Sequence, residues 1–332
     1  MIALDANGAD RGPRTVAEGG AGAGVPVTIF GPAAELSGFE NVVDAPVAVT
    51  NDEDPAHAVR AKPESSIVQA AKAVGSGRAG GFVTPGNTGA ALAAGLFHLK
   101  RMRGVHRPAV AVRLPVPGRP VLLLDAGANV ESRPEWLVQF AHMGAAYMEG
   151  VHGLRRARVG LLSNGEEAKK GPDAVVEANR VLSEGTLDFA GNVEGNDITA
   201  GTVDVVVTDG FTGNVTLKAI EGTAKTVMVA VRDAVRSGPA STLGGLLIRG
   251  KARALRAEFD QDSVGGAIVL GLRGVALVTH GNATATGIAA AVRAADRAVS
   301  EGVVERTQAA LEAGGAIGAA PSAPAVSVGD RS

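Results

Sequence analysis

Six segments of this chain place glycines and small polar side chains directly behind a short apolar run. They are Asp5-Ala-Asn-Gly-Ala-Asp10, Pro85-Gly-Asn-Thr-Gly89, Asp125-Ala-Gly-Ala-Asn129, Ser163-Asn-Gly-Glu-Glu-Ala-Lys-Lys-Gly171, Asp209-Gly-Phe-Thr-Gly-Asn214 and His280-Gly-Asn282. Taken singly, such a junction is ordinarily just a turn. Two of them, Gly86-Asn-Thr-Gly89 and Thr212-Gly-Asn214, run straight into helix-like stretches. A helix start with open N–H groups and no bulky side chain is a site for an anion. The expected chemistry is therefore phosphate binding by Gly86, Asn87, Thr88, Gly89, Thr212, Gly213 and Asn214. Asp5, Asn7, Asn129, Glu166 and Asp209 are the polar neighbours expected at the same site. Neither G-x-x-x-x-G-K-[ST] nor a G-x-G-x-x-G after the first strand is present, so nucleotide sites of those two kinds are not supported.

Three lysines could offset the anion's charge: Lys169 and Lys170 after the Glu166-Glu167 pair, and Lys218 one helical turn after Asn214. Each alone reads more readily as a solvated surface charge. His280 closes an apolar strand just before a glycine, and its titration near neutral pH suits proton transfer. His57, His98, His106, His142 and His152 form no H-x₃-H pair, so no metal is expected. Ser163 lacks the G-x-S-x-G context of a nucleophile elbow.

The elements that must position these residues follow from the apolar rhythm. Strands are predicted at Ile2–Ala6, Val25–Phe30, Val47–Thr50, Gly81–Thr84, Ala109–Arg113, Val121–Leu124, Arg158–Leu162, Val203–Thr208 and Val275–Thr279. Many are Val/Ile/Leu-rich with little alternation, as parallel strands covered on both faces are. Helices are predicted between them, at Glu64–Val74, Asn87–Lys100, Pro134–Met148, Pro172–Ser183, Gly213–Val235 and Asn282–Val299. The pattern predicts an α/β fold, a three-layer α/β/α sandwich with a mainly parallel sheet. In such sheets ligands gather at strand carboxyl ends, where the polar segments lie. One large domain is expected over 1–312, with a projecting helical segment at about 236–258 and a disordered Ala/Gly/Pro/Ser-rich tail over 313–332.

Composition narrows the classes further. The 332 residues include no cysteine, which excludes disulfides, Cys-ligated metal and a thiol nucleophile. The 46 glycines are about twice the usual share of roughly 7 % and have no Gly-X-Y period. A formal charge of -2 argues against a bulk nucleic-acid binder. No signal peptide and no run near the roughly 18 apolar residues of a membrane span is seen, so the cytoplasm is the expected location.

The chain resembles the bacterial phosphate acyltransferases of the PlsX type. The resemblance is carried, in order, by Ile2-Ala-Leu-Asp-Ala6, Thr84-Pro-Gly-Asn-Thr-Gly-Ala90, Arg107-Pro-Ala109 and Leu123-Leu-Asp-Ala-Gly-Ala-Asn-Val130. It continues through Arg158-Val-Gly-Leu-Leu162, Gly165-Glu-Glu167, Gly191-Asn-Val-Glu194, the long Asp204-Val-Val-Val-Thr-Asp-Gly-Phe-Thr-Gly-Asn-Val215, Gly265-Gly-Ala267 and His280-Gly281. Departures occur in the first loop, where Asn7 and Ala9 stand for the family's usual Met and Gly. Others are the brief, glycine-rich Thr15–Gly24 stretch and the Gly281-Asn-Ala283 loop in place of Gly-Ser-Ser. The resemblance implies a fold like isopropylmalate dehydrogenases and phosphotransacetylases, a homodimer, and no cofactor. It implies synthesis of acyl phosphate from acyl–acyl carrier protein and inorganic phosphate, at the start of phospholipid synthesis and upstream of a glycerol-3-phosphate acyltransferase. It also implies a working lysine at Lys170 or Lys169, and peripheral membrane association.

Two basic stretches suit such partners. Lys100, Arg101, Arg103 and Arg107 form a cluster that an acidic carrier protein could dock on, although a solvated basic loop reads equally well. Residues 236–257 hold Arg249, Lys251 and Arg253 beside Leu243, Leu246, Leu247 and Ile248, a pattern of membrane-surface helices or of a dimer interface. Competing readings are a phosphotransacylase using acyl-CoA, a nicotinamide-dependent dehydrogenase of the same fold, and an inert membrane scaffold for lipid-synthesis enzymes.

Overall fold

The computed structural model describes residues 1–50, 52–114, 116, 119–258 and 265–318. Eleven strands in these residues form one sheet. They are β1 (Ile2–Asp5), β2 (Val27–Gly31), β3 (Val42–Asp44), β4 (Gly81–Thr84), β5 (Ala109–Leu114), β6 (Val121–Leu124), β7 (Arg158–Leu162), β8 (Asp188–Val193), β9 (Val205–Val207), β10 (Ala267–Leu270) and β11 (Val275–Val278). The spatial order is β3-β2-β1-β4-β11-β10-β5-β6-β9-β7-β8. β3, β2, β1, β4 and β11 are mutually parallel, as are β6, β9, β7 and β8. Antiparallel pairing of β10 with β11 and β5, and of β5 with β6, reverses the direction between the two groups. The carboxyl ends of β1, β4 and β11 therefore lie at one edge of the sheet, and those of β6, β7 and β9 at the other.

The helices are α1 (Pro13–Ala21), α2 (Pro55–Ala61), α3 (Ser66–Gly75), α4 (Thr88–Ala94, continued by a π-turn over Gly95–Leu99), α5 (Pro134–His152), α6 (Asp173–Ser183), α7 (Gly195–Ala200), α8 (Gly210–Arg236), α9 (Pro239–Glu258), α10 (Ala285–Ser300) and α11 (Val303–Ala313). Side chains of α1, α5, α6, α10 and α11 build the core on one face of the sheet. On the other face α2, α3 and α4 cover the first group of strands, while α7 and α8 cover the second. This is the expected three-layer sandwich. The brief glycine-rich stretch forms a full helix, α1. A Cβ at Gly19 would stand 2.5 Å from Ile288 Cβ, and one at Gly20 2.6 Å from Leu4 Cδ2, so these glycines let α1 press onto α10 and β1.

Some element boundaries differ from expectation. Val47–Thr50 carries no strand; β3 occupies Val42–Asp44 instead. β8, β10, α2, α7 and α11 add to the predicted set, and α8 begins at Gly210 rather than Gly213. The ordered chain also runs past 312: Ile317 is buried in the core, and Gln139 donates to the Ala316 carbonyl at 3.1 Å. The rest of the expected tail, 319–332, lies outside the described residues.

The helical segment at 236–258 is the second arm of a hairpin. α9 packs on α8, with Gly245 so close to Val235 that any Cβ there would collide. No described helix is long and apolar enough to cross a membrane.

Candidate active site

At the edge where β1, β4 and β11 end, the buried carboxylate Asp5 organises the loops. It accepts from Thr84 Oγ1 at 2.7 Å and from the Asn7 amide at 3.1 Å. Burial pushes its carboxyl up to about 6, against the lowering pull of hydrogen bonds from Ser66, Thr84 and Asn7. Asn7 Nδ2 is spent on the Ala45 and Val47 carbonyls. Both residues brace the loop. A carboxylate beside a phosphate would oppose it, so the anion-holding part expected of Asp5 is better carried by its neighbours.

Those neighbours are at the start of α4. Asn87 caps the helix through its Oδ1, which accepts from Ala90 N at 3.1 Å. The Gly86 amide bonds Thr84 Oγ1. The amides of Thr88 and Gly89, at the first two helical positions, have no partner among the described residues. Two open donors thus point out of the helix start, as the motif implied. The His280 loop joins this group: Asp10 N donates to Gly281 O at 2.7 Å, and Arg11 Nε to Asn282 O at 2.8 Å. His280 itself is exposed.

The second group lies where β6 and β9 end. Asp125 is fully buried and collects five hydrogen bonds. Oδ1 accepts from the amides of Val110, Gly127 and Ala128, and Oδ2 from the amide and side chain of Asn129. Asn129 Nδ2 also bonds Pro108 O, and Asn214 Nδ2 bonds Ala126 O at 3.1 Å. Asp209 caps α8, accepting from Thr212 N at 2.8 Å and Thr212 Oγ1 at 2.7 Å. The expectation that Gly213 and Asn214 amides hold phosphate fails here. Because Asp209 starts the helix three residues early, the Gly213 amide is spent on Asp209 O and Asn214 lies inside the helix. The glycines serve contact instead: a Cβ at Gly210 or Gly213 would collide with the backbone of Asn129 or Asp125. Phe211 N is the one early α8 amide without a partner among the described residues, since Gly210 N bonds Asn129 O. Lys218 is exposed, further along α8.

The third group is the β7–α6 loop. Glu166, Glu167, Lys169 and Lys170 are exposed, and Lys170 N closes a turn on Glu167 O at 2.9 Å. Asn192, buried on β8, donates to both Glu167 O and Lys170 O, while its Oδ1 accepts from Asn179. That brace is a positioning residue the site expectations did not include. Ser163 Oγ is buried without a partner among the described residues. Since β7 pairs with β9, this loop neighbours the Asp209 group. α4 packs on β11 while α8 packs on β5 and β6, and Leu217 of α8 joins the core cluster that holds the alanines of α4. The two helices thus border a strip of sheet on one face.

A family model described as "Fatty acid synthesis protein" matches residues 1–306. Proteins named phosphate acyltransferase are 46% identical in Elusimicrobium minutum, over 81% of this chain and 79% of that protein, and 40% identical in a Geobacillus strain, over 94% and 98%. The chain belongs to the phosphate acyltransferase family. Its reaction class is acyl transfer with phosphate as acceptor. Among solved structures it is similar in fold to a phosphotransacetylase from Streptococcus pyogenes, with TM-score 0.58 and 17% identity over 91% of this chain and 94% of the other. A phosphotransacetylase from Staphylococcus aureus gives 0.56 and 16% over 90% and 94%.

In this family member the expected docking cluster is partly committed to the fold. Arg101 bonds the carbonyls of Val105 and His106, and its own carbonyl accepts from Arg273 Nε. Arg107 lies over the Trp136 ring, 5.2 Å from its centroid, with Arg133 5.7 Å from the same centroid. Lys100 and Arg103 are exposed. In the hairpin, Leu243, Leu246, Leu247 and Ile248 are exposed, Leu247 by 82% of its surface, as are Arg249, Lys251 and Arg253.

Proposed function

We propose that the acyl donor is an acyl–acyl carrier protein and that inorganic phosphate attacks its thioester carbonyl directly. A phosphate oxygen forms the new C–O bond, the C–S bond breaks, and the thiolate leaves and takes a proton. The observation that carries this reading is the pair of unpartnered amides, Thr88 and Gly89, at the start of α4, beside the loop that Asp5 braces. These amides hold phosphate, with Thr88 and Asn87 shaping the pocket. Lys170, aided by Lys169, offsets charge on phosphate or on the developing oxyanion. His280 orients phosphate or protonates the leaving thiolate.

Lys100, Arg103 and Arg107, with Arg101 bracing them, receive the acidic carrier protein. The hairpin rests on an anionic membrane surface through Leu243, Leu246, Leu247 and Ile248, with Arg249, Lys251 and Arg253 at the headgroups. A second copy packed along α8 would cover the exposed Val227, Val229 and Val231, giving a homodimer. The enzyme then works in the cytoplasm at the membrane surface, handing acyl phosphate to a glycerol-3-phosphate acyltransferase. Matched assays with acyl–acyl carrier protein and acyl-CoA test the donor. The carrier-protein substrate should give the higher kcat/KM, and charge reversal at Lys100 and Arg103 should lower only that value. Equal or better use of acyl-CoA would favour the phosphotransacylase reading.

A further inference from the structure

The fold extends the basic loop at 100–107 with cations from two other parts of the chain. Arg273, in the turn between β10 and β11, donates from Nε to the Arg101 carbonyl at 2.9 Å, and its amide bonds the Lys100 carbonyl at 3.0 Å. Arg101 in turn reaches the carbonyl of His106, next to Arg107. Arg107 and Arg133 share the Trp136 ring, 5.2 Å and 5.7 Å from its centroid. Arg273, Arg101, Arg107 and Arg133 are thus joined in a connected series, and all four are exposed. Glu131 and Glu135, close to Arg133 in sequence, are exposed as well, so that end of the series carries both signs.

Helix α5 sets this arrangement. Trp136 and Gln139 stand one turn apart on it. Gln139 is buried; its Oε1 accepts from the His106 amide at 2.9 Å, and its Nε2 donates to the Gly104 carbonyl at 3.0 Å. One side chain thereby fixes the backbone that leads to Arg107. The half-buried Trp136 ring attracts the two guanidinium groups over it. A cation already held in place has less rotamer freedom to lose on docking. Tryptophan and arginine are also the residues that most often dominate binding energy at protein interfaces. Cations held in a series fit a partner with carboxylates spread along its own surface, and such complementarity sets both encounter rate and register. We propose that Arg133 and Arg273 extend the docking surface for the acidic face of the acyl carrier protein, with Trp136 holding two of its arginines. This rests on the carrier protein being the acyl donor.

Trp136 is the chain's single tryptophan, so its fluorescence reports on this surface alone. The probe is an unacylated holo-carrier protein that lacks tryptophan, titrated into the full-length protein by fluorescence and, in parallel, by calorimetry. Both should give saturable binding with one Kd, weakened by added salt. R133Q and R273Q should each raise that Kd by about two- to fivefold, the worth of one exposed charge pair. Both side chains are exposed, so the variants should melt where the parent does. Calorimetric binding that leaves the Trp136 emission unmoved, or an unchanged Kd in either variant, would overturn the proposed surface while leaving the carrier-protein reading intact. No calorimetric binding at all would overturn both.

Discussion

Asp5 shows how a single buried carboxylate ties the site to the fold. Its carboxyl sits at about 6 in the folded protein, against an ordinary value of 3.8. Below about pH 4 it is protonated folded or unfolded and imposes no cost. Between about pH 4 and 6 the folded state holds the proton that the unfolded state has lost, so stability falls as pH rises. The loss is on the order of 3 kcal/mol once both states are ionised. Asp5→Asn should remove that fall, seen as urea midpoints that no longer drop between these pH values. A parental pH profile in the variant would contradict the assignment. Lys170 is the opposite case, an exposed cation whose loss should leave melting unchanged. Lys170→Ala should lower kcat by about 10²–10³, the usual worth of one oxyanion-stabilising group. Normal turnover would remove the lysine from the mechanism. At this scale the sequence was readable for residue types and not for their partners. Asn7, Asn129 and Asn214 stand in the right loops, yet their side-chain amides hold backbone carbonyls. Which way an amide turns is decided by atoms distant in sequence, as Asn129 and Pro108 O show.

At the scale of elements, the helix starts decide the chemistry. The Asp209-x-x-Thr212 spacing is a capping signal, and it starts α8 at Gly210. Reading the glycines as loop instead places the start at Gly213 and assigns open amides to residues whose amides are spent. The start of α4 was legible because Asn87 precedes it as a cap. Thr88 is the first helical residue, a position that tolerates proline because its N–H needs no intrahelical partner. Asn87 already has the extended backbone that precedes proline well. Thr88→Pro should therefore keep the melting temperature but raise KM for phosphate, by about tenfold for one charge-assisted bond. An unchanged KM would show that this amide does not touch phosphate. The elements absent from the sequence reading share a cause. β10 has four residues, and β8 carries Gly191 and Asn192 inside it, so neither shows a clear apolar period.

For the whole molecule, the strand–helix alternation was enough for the layered fold but not for the direction of the strands. The reversal through β10 and β5 depends on pairings such as Ala267 with Val112, more than 150 residues apart, which no local pattern encodes. It parts the polar loops into groups at two edges of the sheet. The hairpin of α8 and α9 is the other feature of this scale, since its apolar residues have nothing in the described chain to cover them. Changing Leu246 and Leu247 to Asp should abolish flotation with anionic liposomes while leaving the fold and the acyl-transfer rate in solution intact; undiminished flotation would refute the membrane role. The absence of cysteine bears on the central claim, because it leaves phosphate rather than a thiol acyl-enzyme to attack the thioester. Rapid mixing of the protein with acyl–acyl carrier protein, followed through free thiol and acyl phosphate, tests this most directly. The account predicts no thiol release without phosphate and, once phosphate is added, one acyl phosphate for each thiol, with no metal or nucleotide present. A burst of one thiol per chain before phosphate is added would contradict it.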